Sequence, residues 1–195
     1  MKILHIDSSI LGVNSVTRPL SALAVQRLVA ENPGAKVEHL DLGAAPIGHL
    51  TGEQFAGRGK TVDAVLEQFK AADVVVIGSP MYNWTISSQL KAWIDRIAVA
   101  GETFAYTQQG PKGLAGGKRI IVVTGRGSSM LDDRYDGYDH QEPYLRTVFR
   151  FLGIDDVTFV HAQGLALAAD ARSAIVAKAK AEIEGLIPPP QPLAA

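Results

Sequence analysis

The stretch Asp73-Val74-Val75-Val76-Ile77-Gly78-Ser79-Pro80-Met81-Tyr82-Asn83-Trp84 decides the fold. Val74–Ile77 is an unbroken β-branched run, which reads as a parallel strand buried on both faces. Gly78, Ser79 and Pro80 are expected to stop it, because Pro80 has no N–H to give a ladder and biases Ser79 away from helix. Downstream, residues 89–97 show helical spacing, with Leu90, Trp93, Ile94 and Ile97 on one face. Met81–Trp84 therefore lie on a loop leaving the carboxyl end of a central strand. Open α/β sheets bind ligands at that edge.

Working outward, Lys2–Asp7 reads as a first strand and residues 18–30 as a helix that Asn14, Ser15 or Thr17 could cap. Lys36–Leu42 is a second strand, more polar and so nearer an edge. Residues 43–60 are Gly-rich and irregular. Val62–Ala72 is a helix feeding the central strand. Residues 101–117 make a long excursion, a candidate hairpin, of the kind that is usually functional. Arg119–Thr124 is the next buried strand, and a loop runs from Gly125 to about His140. Residues 141–152 read as helix, 156–162 as the last strand and 170–187 as the last helix. Strands alternating with helices through right-handed crossovers give a five-stranded, doubly wound parallel sheet in order 2-1-3-4-5, with helices on both faces. One domain over residues 1–187 is expected, followed by a Pro-rich tail, residues 188–195.

Composition bounds the chemistry. Apolar residues make up 47% and charged residues 20% of the 195-residue chain, which is ordinary for a globular domain. The net charge of −1 argues against general nucleic-acid or anionic-membrane binding. The absence of cysteine removes disulfides, thiolate catalysis and Cys-based metal sites. Met1-Lys2 runs straight into a strand and no apolar run reaches the roughly 20 residues of a membrane span, so a cytoplasmic protein is expected. The five histidines show no i, i+4 metal pair, and His5 and His161 read as core or edge residues. Gly-x-Ser-x-Gly, the phosphate-loop pattern and Gly-x-Gly-x-x-Gly are all missing in the required context.

Three loops converge at one sheet edge: Ser8–Thr17, Pro80–Thr85 and Gly125–Ser129. In the first, orphan amides and the hydroxyls of Ser9, Ser15 and Thr17 suit a phosphate, or simply cap a helix. In the second, Met81 and Trp84 could flank a flat ring system, or fill the core. In the third, Gly125-Arg126-Gly127-Ser128 allows close backbone approach, or forms a turn whose Arg126 makes a surface ion pair.

Taken together, Ser8-Ser9-Ile10-Leu11, Pro80-Met81-Tyr82-Asn83-Trp84, Gln89-Leu90-Lys91, Phe104-x-Tyr106-x-x-x-Gly110-Pro111-x-Gly113-Leu114 and Gly125-Arg126-Gly127 closely resemble the FMN-dependent NADH azoreductases, also described as NADH:quinone oxidoreductases. The resemblance covers residues 1–187 and implies a flavodoxin-like fold and a homodimer. It implies that Ser9, Ser15, Val16 and Thr17 hold the FMN phosphate. It places Met81, Tyr82, Asn83 and Trp84 around the isoalloxazine, with the Asn83 amide near N5, and Gly125, Arg126, Gly127 and Ser128 at the pyrimidine edge. Phe104, Tyr106 and Phe151 match the aromatics through which a second subunit completes the substrate pocket. The family often has Phe where Trp84 stands and Ser where Gly125 stands. The implied activity is ping-pong transfer of a hydride from NADH or NADPH through flavin N5 to quinones or azo compounds, with no protein acid or base and no metal. A non-catalytic electron carrier or binding module of the same fold is the rival reading, and a nucleotide-binding regulatory domain is another.

Overall fold

The structure, a computed structural model, describes residues 1–57, 63–167 and 170–187. Five parallel strands form the central sheet: β1 (Lys2–Asp7), β2 (Lys36–Asp41), β3 (Val74–Pro80), β6 (Arg119–Arg126) and β7 (Val157–Gln163). Their order is β2-β1-β3-β6-β7, the 2-1-3-4-5 order expected once the separate hairpin is set aside. That hairpin pairs β4 (Phe104–Thr107) with β5 (Gly110–Gly113) in the 101–117 excursion. The helices are α1 (Thr17–Glu31), α2 (Gly52–Ala56), α3 (Ala64–Ala71), α4 (Ser88–Ile97), α5 (Glu142–Phe151) and α6 (Ala171–Leu186). Among the described residues no helix is long and apolar enough to cross a membrane.

The period-2 geometry of the strands splits the core in two. Leu4, Ile6, Val75, Ile77, Ile120 and Val122 face one layer, where they pack with Phe69 of α3, Leu90 and Trp93 of α4, and Leu145 and Phe149 of α5. Ile3, Val74, Val76, Ile121 and Val123 face the other, against Leu20 and Ala24 of α1 and Ala179 and Ile183 of α6. Each central strand is apolar on both faces because each face has helices to cover it. At the sheet edge, β2 exposes most of its residues, in keeping with its polar sequence.

Some boundaries differ from the sequence reading. β3 does not stop at Ile77: Gly78, Ser79 and Pro80 stay in register opposite Val123, Thr124 and Gly125. Pro80 is tolerated because it is the last rung, and the next amide, Met81 N–H, donates to Gly125 C=O at 2.8 Å. α1 starts at Thr17 with Val16 at its N-cap, and of the expected capping residues Ser15, one place earlier, accepts from Arg18 N–H at 3.3 Å. The irregular 43–60 stretch contains α2, started by a Thr51–Gln54 capping box. α3 begins at Ala64 behind an Asp63 cap. Its expected first residue, Val62, lies outside the described residues, as do residues 58–60 and the Pro-rich tail.

The hairpin is docked by backbone contact. A Cβ on Gly113 would sit 2.0 Å from the amide nitrogen of Gly153, so neither position has room for a side chain. Ala115 N–H donates to Leu152 C=O at 2.9 Å beside this contact. Phe104 is buried in the chain's own core and meets Phe151 at 4.6 Å between ring centroids, while Tyr106 stands 77% exposed at the outer end.

Candidate cofactor and substrate site

The first loop is braced from below. Arg18, in the first turn of α1, forks Asp41 at the end of β2 with contacts of 2.5 and 2.6 Å and donates to Ser9 C=O at 2.9 Å. This hydrogen-bonded pairing holds the Asp41 carboxyl down at about 2. Asp7, at the end of β1, accepts from Ser21 Oγ at 2.9 Å and lies 3.0 Å from His39 Nε2. His5 Nε2 is 3.0 Å from Ser21 Oγ, and burial lowers its pKa, so His5 is the core residue expected. His5, Asp7 and His39 come together across β1 and β2. Arg18 lies 4.0 Å from the same Asp7 oxygen, so the cluster works as a hydrogen-bonded buttress under the loop.

The second loop is a tight turn. Tyr82 and Thr85 exchange both backbone hydrogen bonds, at 2.9 and 3.1 Å. Between them Asn83 and Trp84 hold φ of 48° and 71°. Positive φ at both central residues defines a mirror-image type I turn, which favours Asn first and Gly second. Trp84 in the second place is strained, and such strain concentrates at functional sites. The amides of Asn83 and Trp84 donate to no partner among the described residues. Trp84 C=O accepts from His140 N–H at 3.0 Å, and its ring contacts Tyr138 and Tyr135 at 4.8 and 5.5 Å.

Loops two and three are tied together by Gln141, which is fully buried. Its Nε2 donates to Ser79 C=O at 2.9 Å and its Oε1 accepts from Arg126 Nε at 2.9 Å. Arg126 is therefore no surface ion pair. Its side chain is 2% exposed and turned inward, with Asp139 at 3.0 Å and Glu142 at 3.8 Å. Glu142 also holds His161 at 3.2 Å and Arg146 at 2.7 Å, and the His161 hydrogen bond leads in drawing its carboxyl down to about 2.

Two of the concavities at this edge share Tyr82 in their lining. A cavity of about 200 Å³ is lined by Ser9, Asn14, Ser15, Val16, Thr17, Tyr82, Gly125 and Gly127, with Arg172 of α6 at its border. Ser9, Ser15 and Thr17 are buried, and the Val16 and Thr17 amides donate to no partner among the described residues. Among the described residues no Asp or Glu lines this cavity. Buried hydroxyls and free amides at a helix start fit a phosphate monoester. A wider groove of about 760 Å³ opens on the other side of Tyr82, bounded by Ile10, Asn83, Ile86, Gln89, Lys91 and Tyr144. Burial pushes the Tyr144 phenol up to about 12, and Lys91 is paired with Asp95 at 2.6 Å. The groove is mainly apolar and has room for a ring.

Of the expected site residues, Ser9, Ser15, Val16, Thr17, Tyr82, Gly125 and Gly127 share the smaller cavity and Asn83 lines the groove. Met81 is tied to Gly125, and Trp84 leans on the third loop. Arg126 and Ser128 border neither concavity: the Arg126 side chain points inward, and Ser128 C=O accepts from Gly164 N–H at 3.1 Å. Arg18, Gln141 and Arg172 escaped the sequence reading. Arg18 alone had a local signal, its place in the first turn after the Ser-rich loop.

A family model described as a flavodoxin-like fold matches residues 1–187. FMN-dependent NADH:quinone oxidoreductase 1 of Xanthomonas euvesicatoria pv. vesicatoria (strain 85-10) is 52% identical over 185 residues, covering 93% of this chain and 94% of its own. The chain belongs to the same flavodoxin-like family as this oxidoreductase. A second family member, FMN-dependent NADH:quinone oxidoreductase of Rhizobium meliloti (strain 1021), is 48% identical over 196 residues, covering 94% of this chain and 95% of its own. Among solved structures, an FMN-dependent NADH-azoreductase from Bacillus anthracis str. Ames Ancestor in complex with FMN superimposes with a TM-score of 0.79 at 26% identity. It covers 95% of this chain and 99% of its own.

Proposed function

We propose that this chain is an FMN-dependent NADH:quinone oxidoreductase that also cleaves aromatic azo compounds. The carrying observation is the pairing of an acid-free, hydroxyl-lined cavity with an apolar groove across one residue, Tyr82. A dinucleotide phosphate site would need a longer polar channel, and an acyl-transfer site would need a nucleophile beside a base. This pair of concavities suits a phosphate tail attached to a flat ring, and relatives at 48–52% identity carry the matching name.

In this reading Ser9, Ser15, Val16 and Thr17 hold the phosphate. Tyr82, Asn83 and Gly127 border the ring, and Met81, Trp84 and Gly125 fix the loops that do so. Arg126 and Ser128 contribute through backbone position. FMN held there would supply the redox chemistry, two-electron hydride transfer through N5 from NADH or NADPH to a quinone or azo acceptor in ping-pong order. The protein's contribution is orientation and a dry face. The free Asn83 amide would offer a donor toward the N5 edge, and the Tyr144 ring adds apolar surface to the groove. Residues 1–187 form one FMN-binding domain that works as a cytoplasmic homodimer. The exposed Tyr106 on the hairpin supports a shared pocket, with Phe104 and Phe151 forming the base that holds it out.

Purified protein should carry a yellow flavin, released as FMN on denaturation. It should oxidise NADH steadily with a benzoquinone or an azo dye and no partner reductase. A chain that binds FMN yet needs a separate reductase would be a carrier, and one that neither binds FMN nor gains activity from it would refute the proposal.

A further inference from the structure

We infer that Arg172, at the start of α6, is the cationic partner of the cofactor's phosphate and sets the preference for FMN over its unphosphorylated form. The inference rests on the reading above, in which the smaller cavity takes a phosphate monoester.

The hydroxyls and amides of the first loop are neutral donors. They can bind a phosphate but supply no formal charge to balance a dianion. Among the described lining residues Arg172 is the only cation. It reaches the cavity from a different element, 155 positions further along the chain than Thr17, which lines the same cavity. Arg172 is exposed and makes no ion pair or hydrogen bond among the described residues, whereas Arg18, Arg96, Arg126, Arg134 and Arg146 are all paired with carboxylates. Its own position does not favour it, since a cation in the first turn of a helix opposes the macrodipole. Asp170, at the N-cap, makes no capping bond that would offset this.

The surrounding helices sharpen the contrast. α2, α3 and α4 begin with side-chain caps from Thr51, Asp63 and Ser87, and Asp139 takes the first amides of α5. Among the described helices α6 begins without such a bond, and in α1 the only one, from Arg18 N–H to Ser15 Oγ at 3.3 Å, is accepted by a residue that itself lines the cavity; both first turns border the same cavity. Two positive helix ends and an unpaired guanidinium therefore meet in a space with no acidic lining. An anion bound there removes a repulsion that the chain otherwise keeps.

The test uses the flavin-stripped full chain, titrated with FMN and with riboflavin by fluorescence quenching. Wild type should prefer FMN. Arg172→Gln should weaken FMN on the order of tenfold, as expected for one charge-assisted contact at a partly exposed site. It should leave riboflavin affinity unchanged. Arg172→Lys should recover part of the loss, and added salt should weaken FMN binding by wild type more than by Arg172→Gln. Equal losses for both flavins, or no loss for either, would overturn the role of Arg172 while leaving the hydroxyl cradle intact. A rise in KM for NADH with unchanged FMN affinity would overturn it in favour of the co-substrate's phosphates. A wild type that binds riboflavin as tightly as FMN would overturn the cradle itself.

Discussion

Replacing Trp84 by Gly and, separately, by Ala isolates the strain in the Asn83-Trp84 turn. Both variants lose the same indole and the same contacts with Tyr135 and Tyr138. They differ in that Ala keeps a Cβ at φ 71° while Gly does not. A left-handed conformation costs an L-residue about 1–2 kcal/mol. Glycine returns about 0.4–1 kcal/mol of this through its freer unfolded chain. The Gly variant should therefore be the more stable by roughly 0.5–1 kcal/mol, even though Gly is ordinarily the worse residue. Against wild type both should fall, because two aromatic contacts are worth about 0.5–1.5 kcal/mol each beyond their area. The assay is urea unfolding of the flavin-free chain, so that ligand linkage does not enter. An Ala variant as stable as the Gly variant would mean that the turn relaxes and that no strain is held at the groove. The case for a turn set to present its amides would then fail.

Three other outcomes follow from the same geometry. Gln141→Leu removes three buried hydrogen bonds and orphans Arg126 Nε and Ser79 C=O, so it should cost about 3 kcal/mol in urea unfolding; a loss below about 1 kcal/mol would refute the clamp between the second and third loops. Gly125→Ala would place a Cβ 2.8 Å from the Thr17 methyl, which is buried and stiff, so it should destabilise by about 1–3 kcal/mol and weaken FMN binding, read by the same titration. Glu142 is held near 2 in the folded chain against an ordinary 4.5, so its contribution is present above pH 4.5 and is lost as pH falls toward 2. Glu142→Gln should flatten the stability profile in that window, by roughly 1–2 kcal/mol after allowance for solvent screening, and an unchanged slope would show that the His161 contact carries no linkage.

Much of the site was visible before any tertiary information, and the reason is local. Ser9, Ser15, Thr17, Tyr82 and Gly125 lie in or next to the carboxyl ends of strands or in the segments that leave them, so strand periodicity alone places them at one edge. The inward course of the Arg126 side chain was not legible, because an arginine beside two glycines looks exposed in one dimension. Its direction is decided by Gln141 and Asp139 on the far side of a long loop. The Gly125 departure from the family's usual serine is likewise explained only in three dimensions, where the Thr17 methyl takes up the space a side chain would need.

The amino-acid sequence by itself determined the alternation of strands and helices, the central place of β3 and the loops that gather at its carboxyl end. These follow from side-chain period and turn chemistry, which act over a few residues. The tertiary structure alone decided which side chains face the cleft, how Arg18 and Gln141 brace its walls and that Arg172 and Thr17 line one cavity. Such contacts join residues from about 10 to over 150 positions apart. They depend on how the layers pack, and no local rule of propensity carries that information.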